Sequence, residues 1–587
     1  MPRFLPSCHQ FAARPGGMLL FAMLVAPSVL GGSLHLDFSH EIDGRPLRID
    51  SLRYQNSRSE TFSLTRIDWL ASDFSLTTSA GKTITLPSAS AFIPTRGTTL
   101  TLPNLPSETI TAISFHVGPD RKSNHSDPAS YAASHPLNPN VNRLHWDWQG
   151  GYIFLALEGH WRAAGQKLPG GFAYHFARDA NRCKITLPVH LNLRDESRVG
   201  IALDANKVLT GLSFAQDGST THSSDGDPVA ARLKSNLPSA FRITGIHRGG
   251  IPTKPNPPAP IDLPAHPKGY PLTLPKHIPL PALPSDNPVL TTRVALGEKL
   301  FREPKLSRSN SISCASCHQG ETLSDPRRLS PGVDGELGRR HSMPLFNLAW
   351  KSSFFWDGRA PTLRAQALIP IEDHLEMDES LDRVAAKLKA DPSYPPLFAA
   401  AFGSGKITPE NIGLAIENFL LTRLSFDSKL DRAHKGQATL TDQEKRGFEL
   451  FFTESEPRLG KRGADCFHCH GGALFTDHAF HNNGLASGDD LGLEETTGKT
   501  SDRHKFATPS LRNIALTEPY MHDGRFATLE QVIDHYNAAP ELSETLDPNL
   551  AKHPQGLGLS EEDQRALVAF LKTLSDSNML PKGQAGE

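Results

Sequence analysis

A chain of 587 residues can bury more than one hydrophobic core, so two or three domains are expected rather than one. A net charge of -2, with 21% charged residues of mixed sign, excludes the basic surface that nucleic acid would select. Six cysteines would suggest disulfides in an exported chain, but four of them are spent in CASCH and CFHCH, while Cys8 and Cys183 stand alone.

The first 32 residues read as a secretory signal: Arg3 and Arg14 precede the apolar run MLLFAMLVAPSVL, and small residues follow. The run is short for a bilayer and Pro27 interrupts it, so the mature protein is expected to be periplasmic or secreted, with no membrane span after signal removal. From 33 to 250 the chain alternates apolar and polar residues in short runs such as SLHLDFSH, TAISFHVG and GYIFLALEG, broken by Gly, Pro, Asn and Asp. Period-two runs of this kind predict an all-β, sandwich-like domain. Residues 251–284 are too rich in proline for helix or central strand and predict a semi-rigid spacer, or an extended arm lying on a neighbour. Helical periodicity begins after it, in VALGEKLF, PENIGLAIENFLLTRL, DQEKRGFELFF and SEEDQRALVAFLKTL. The two CxxCH motifs lie about 150 residues apart here, so a mainly α domain over 285–587 is expected, with one haem lobe over 285–435 and another over 436–580.

In CxxCH the two thiols bond the haem vinyl groups and the histidine becomes an iron ligand. Two covalently bound c-type haems are therefore expected, on Cys314, Cys317 and His318 and on Cys466, Cys469 and His470. A zinc or thiol-redox pair is the rival reading of each motif.

ALGEKLFREPKLS, FFWDGRAPTLRAQALIPIEDHLEM and TPSLRNIALTEPYMHDGRFATLEQVIDHYN, in this order around the motifs, resemble the bacterial di-haem cytochrome c peroxidases and the related MauG and MbnH enzymes. That resemblance implies a haem on His318 open to hydrogen peroxide, with Gln366, Pro370 and Glu376 in the pocket on its far side. Glu376 also answers a chemical need, since cleaving bound peroxide takes a group that accepts one proton and returns it to the leaving oxygen. The resemblance places Trp356 between the haems as an electron relay, and leaves Trp350 in the core. It puts Tyr536 where the peroxidases carry a methionine opposite the second haem's histidine, with Met521 as the rival ligand. A phenolate favours oxidised iron, which points to the MauG and MbnH side. The family's calcium ion would use backbone oxygens of Thr517 and Pro519, but His341 replaces the usual asparagine and suits a hard cation poorly.

HVGPDRKSN, HPLNPN and HWDWQGGYIFLALEG, with FSHEIDG and FAYHF, resemble MbnP, a family of exported copper-associated β proteins. Such proteins are partners of MbnH-type enzymes that oxidise a partner tryptophan to kynurenine, so the chain resembles substrate and enzyme fused. The resemblance implies an exported peroxidase that uses hydrogen peroxide and high-valent haem iron on its own β domain. Trp146 is then the favoured target, with Trp148 beside it and Trp69 and Trp161 as alternatives. On a strand, Trp146 and Trp148 would share one face and His145 the other. Copper favours imidazole, and His40, His145 and His175 are its candidate ligands, while Cys183 reads as a small buried residue. The competing function is a peroxide scavenger that draws electrons from a small cytochrome or another periplasmic carrier and uses the β domain for docking. An electron-transfer protein with no open haem is a third reading.

Overall fold

The computed structural model describes residues 32–50, 52–146, 150–193, 196–248, 262–455 and 460–579. The signal segment with Cys8, Trp148, and residues 251–261 of the Pro-rich stretch lie outside the described residues. No helix among the described residues is long and apolar enough to cross a membrane.

The alternating runs form two sheets. In the smaller, β1 (Leu34–Ile42) pairs in parallel with β2 (Ser197–Asp204), which pairs in turn with the antiparallel β3 (Phe241–Arg248). The larger runs in the order Cys183–Asn192, Thr109–Val117, Arg66–Thr78, Gly151–Arg162, Gly170–Ala177, Thr220–Thr221. The region is thus β-rich, as its alternation predicts, with two departures from a purely antiparallel sandwich. One is the parallel β1–β2 pair. The other is helix α1 (Pro228–Ala240), which buries Val229, Leu233 and Leu237 on one face. Between the sheets Trp69 stacks on Phe115 with ring centroids 5.9 Å apart, and Phe38 and Phe241 meet it edge-on.

The second half is helical and has two apolar cores, one drawn from Leu296 to Leu421 and the other from Leu430 to Leu574. Each core is built on a crossing of two helices, Thr291–Phe301 on Pro409–Leu421 and Asp442–Phe451 on Glu561–Lys572. The crossings share one device. Gly297 sits so close to the Ala415 carbonyl that an added Cβ would lie 1.9 Å from its oxygen, and Gly447 stands in the same relation to Ala566 at 1.9 Å. The two lobes therefore repeat one packing solution. The described part of the Pro-rich stretch lies along them as an arm: Ile278 is buried with Trp350, whose indole N–H donates to the Pro279 carbonyl at 2.8 Å.

The β domain packs on the second lobe through backbone as well as side chains. His160 Nε2 lies 2.7 Å from the Leu546 carbonyl oxygen, and a Cβ on Gly171 would come within 1.8 Å of the Pro548 carbonyl oxygen. Thr220 Oγ1 donates to Glu454 at 3.1 Å, and His222 Nε2 lies 3.0 Å from the same carboxylate. This contact decides which part of the β domain meets a haem motif.

Because the helix crossings leave no room for a methyl group, Gly447→Ala is expected to lower the stability of the haem half by about 1–3 kcal/mol. Chemical denaturation followed by helix content should show the lower midpoint, and an unchanged midpoint would show that the crossing relaxes freely.

Candidate functional site

Each CxxCH motif forms one short helical turn that ends at its histidine. Cys314–Cys317 is capped by Ser313, whose hydroxyl and backbone exchange hydrogen bonds with Ser316. Ring orientation is fixed in the same way in both motifs, since His318 Nδ1 is 3.1 Å from the Leu323 carbonyl and His470 Nδ1 is 3.1 Å from the Phe475 carbonyl. Donation from Nδ1 leaves Nε2 with its lone pair, the form a metal requires. Burial holds the His318 imidazole down at about 4, which keeps it neutral. All four motif thiols are free. The donor sets of both motifs fit a c-type haem.

The first motif opens on a cavity of about 380 Å³ whose lining includes Cys314, Cys317, His318, Trp356, Gln366, Pro370 and Glu376. The residues expected around this haem are thus brought together. Gln366 and Pro370 stand four apart on helix Leu363–Glu372, on one face, and Glu376 follows in the turn after it. Burial, with Asp373 nearby, pushes the Glu376 carboxyl up to about 7, so both protonation states are accessible near neutral pH.

Trp356 joins the lobes. Its indole N–H donates to the His341 carbonyl at 2.8 Å, and its own carbonyl accepts from Ala507 N at 2.8 Å. His341 N donates in turn to the His522 carbonyl at 2.8 Å, so this tryptophan is held from both sides of the junction. His341 keeps Nδ1 on the Arg328 carbonyl at 3.2 Å and leaves Nε2 buried and unpaired. Thr517, a residue expected at calcium, is buried, and Pro519 follows Glu518 through a cis peptide.

In the second lobe Asn483 Nδ2 reaches both candidate ligands, Tyr536 Oη at 3.3 Å and Met521 Sδ at 3.6 Å. Burial pushes the Tyr536 phenol up to about 12, so ionisation near neutral pH needs a cation at the oxygen.

A second cavity, of about 430 Å³, lies where the β domain meets the second lobe. The β domain contributes Arg66, His145, Trp146, Glu158 and His175, and the CFHCH motif contributes Phe467 and His468. Trp146 is only 6% exposed, and its ring lies 5.4 Å from that of His222. The His222 ring is 5.8 Å from Phe467 and 5.4 Å from His468. A continuous aromatic contact therefore links Trp146 to the motif of the second haem.

The strand that holds His145 and Trp146 is two residues long and pairs Trp146 with Gly151, and both residues line the interface cavity. The other tryptophans have ordinary places: Trp69 is 1% exposed in the β core, Trp161 stacks on Phe214 with centroids 5.9 Å apart, and Trp350 packs under the arm. His40 is not brought to the other histidines. Its Nε2 accepts from Trp69 Nε1 at 3.1 Å and its Nδ1 faces the Thr95 carbonyl at 3.0 Å, inside the β domain. Cys183 is buried, as a small core residue should be.

Sequence reasoning missed His222, His468, Glu158 and Glu454. His175 Nε2 lies 2.9 Å from Glu158, which Arg66 holds at 3.0 Å, and His222 and His468 each place Nε2 3.0 Å from Glu454. Only His468 carried a signal, its place inside a haem motif, and that place accepts any residue.

The family model of the di-haem cytochrome c peroxidases matches residues 291–439, and the MbnP model matches residues 31–223. Methylamine utilization protein MauG of Methylorubrum extorquens is 41% identical over 296 residues, 50% of this chain and 80% of that protein. Cytochrome c peroxidase of Escherichia coli is 33% identical over 316 residues, 52% of this chain and 63% of that protein. A solved structure of a MauG-like protein associated with microbial copper homeostasis is 34% identical, with a TM-score of 0.48 over 54% of this chain and 99% of that one. With a match of this extent to MauG, and with both haem motifs set in their lobes, this chain belongs to the di-haem cytochrome c peroxidase and MauG family, as a peroxidase fused behind an MbnP-type β region.

Proposed function

We propose that this enzyme is exported and uses hydrogen peroxide to oxidise Trp146 of its own β domain to kynurenine, preparing that domain to bind copper. The observation that carries the reading is the seating of Trp146 against the second motif, through His222, Phe467 and His468. A scavenger fed by a small cytochrome has no use for a tryptophan buried there.

When bound, the two haems supply the reaction with peroxide and the storage of its oxidising equivalents. The protein's own groups manage protons and path. Glu376, as carboxylate, takes the proton of the near peroxide oxygen and delivers it to the departing one, a task suited to a group with a pKa of about 7. Gln366 and Pro370 shape the same wall. Pro370 has no N–H and so leaves the Gln366 carbonyl free of its usual helical partner. Trp356, pinned between the lobes, offers the route for electrons from one lobe to the other. Tyr536 and His470 would together hold the iron of the second haem. Two peroxides each give one oxygen across the indole C2–C3 bond of Trp146 and leave as water, forming N-formylkynurenine. Hydrolysis then releases formate and leaves kynurenine. The short chain between the halves keeps target and enzyme at high mutual concentration.

Glu376→Gln should load both haems yet react with peroxide about 10²–10⁴-fold more slowly. The sign of the pH effect follows from the raised pKa. Below about 7 the carboxyl is protonated and cannot accept, so the wild-type rate should fall as pH drops through about 7, and this step should be missing from the variant. Wild-type kinetics in Glu376→Gln would remove the residue from the mechanism.

Tyr536→Phe should alter the spectrum of one haem only. An unaltered spectrum, together with a change in Met521→Leu, would transfer the ligand role to the methionine.

Peroxide should give the peptide containing Trp146 the mass of kynurenine, one oxygen more and one carbon fewer. Trp146→Phe should abolish that product, and Trp356→Phe should slow it while both haems stay bound. An unmodified Trp146 after peroxide treatment of the holoprotein would reject self-oxidation and favour scavenging.

A further inference from the structure

Three imidazoles meet where the two halves of the chain close, and they come from both halves. His175 Nδ1 and His222 Nε2, from the β domain, lie 3.1 Å apart, and the donor atoms of His175, His222 and His468 all fall within 4.8 Å of one another. Two nitrogens bound at about 2.0 Å to one tetrahedral ion are separated by about 3.3 Å, so the first pair already has the spacing of shared ligands.

We propose that His175, His222 and His468 hold one transition-metal ion of the copper–zinc class, in a site divided between the β domain and the motif of the second haem. The inference rests on the copper binding proposed above and gives that metal its ligands, two of which lie outside the β-domain motifs read from sequence. An all-imidazole set selects this end of the metal series over hard cations.

The surroundings are those of a metal site. His175 is 2% exposed and presents Nε2 to Glu158 Oε1 at 2.9 Å, and Arg66 donates to the same oxygen at 3.0 Å. A ring nitrogen that donates to a carboxylate fixes the tautomer and leaves the opposite lone pair for the ion. Glu454 lies 3.0 Å from both His222 Nε2 and His468 Nε2, while Lys552 pairs with its other oxygen. Arg66 and Lys552 thus already balance the two carboxylates. Ligation requires each imidazole in its neutral form. The His222 Nε2 proton can go to His175 or to Glu454, not to both, so hydrogen bonding alone leaves one of these close contacts unmet. An ion satisfies the lone pairs together. Trp146, 5.4 Å from His222, covers one side of the group.

The test uses holoprotein with both haems, treated with chelator and then offered Cu(I), Cu(II) or Zn(II) against a competing chelator of known affinity. One equivalent should bind. His222→Asn and His468→Asn should each weaken binding at least about 100-fold, the upper end of what losing even an outer-sphere partner costs. His190→Asn, at an exposed position of the β domain, should bind as wild type. Retention of copper against excess zinc identifies copper, and the reverse identifies zinc. His222→Asn decides the matter if His468→Asn also loses haem, because His222 lies in the β domain, 248 residues before His470. No uptake, or uptake unchanged in His222→Asn and His468→Asn, overturns the site, as does loss confined to His190→Asn. Kynurenine is read separately by peptide mass, so a protein that oxidises Trp146 but takes up no metal through His222 and His468 sinks this site and leaves the proposed function standing.

Discussion

The two halves of this protein close on one buried carboxylate. Glu454 accepts from Thr220, faces His222 and His468 at 3.0 Å each, and pairs with Lys552. An ionised group so far from water is stable only with partners on every side, and removing any of them leaves an uncompensated charge. Two of these partners belong to the β domain and two to the haem lobe. Satisfying this charge, together with the close contacts of His160 to Leu546 and Gly171 to Pro548, fixes how the domains sit and with it the place of Trp146 beside the second haem motif.

Beneath that contact the two lobes of the haem half share a frame. Both lobes rest on a glycine pressed against an alanine carbonyl, and both orient the motif histidine on a carbonyl five residues ahead. These parts set packing and ligand geometry. The far sides differ. In the first lobe Glu376 and Gln366 line an open chamber, whereas in the second Tyr536 and Met521 converge on Asn483. The proposed division of labour, one lobe admitting a small oxidant and the other supplying a second iron ligand from within, rests on this difference. The partition follows from side chains on a common frame.

Most of the frame was legible in the sequence because its signals are local. Two CxxCH motifs dictate attachment by covalent geometry, helical periodicity marks the lobes, and alternation marks the sheets. Trp146 was legible through its motif. The described strand around it holds two residues, too few to impose a period. The parallel pairing of β1 with β2 joins segments some 160 residues apart, and no local pattern encodes a partner at that distance. The same limit hid the three-histidine group. Strand pairing inside the β domain brings His222 to His175, and His468 joins them only through domain docking, whereas His40, which stood in a recognisable motif, serves the Trp69 indole.

The burial of Trp146 at the junction bears on how often such an enzyme can act. A product that stays within the polypeptide and has no exit cannot be exchanged for fresh substrate, so each molecule would complete the reaction once and then remain as its own product. Its yield would be counted by gene dosage rather than by turnover. On the proposed function, a fused chain would also deliver catalyst and target in strict one-to-one ratio, which separate partners must achieve by matched expression. Below the ceiling that gene dosage sets, peroxide supply and not encounter between proteins would govern how much of the β domain is oxidised.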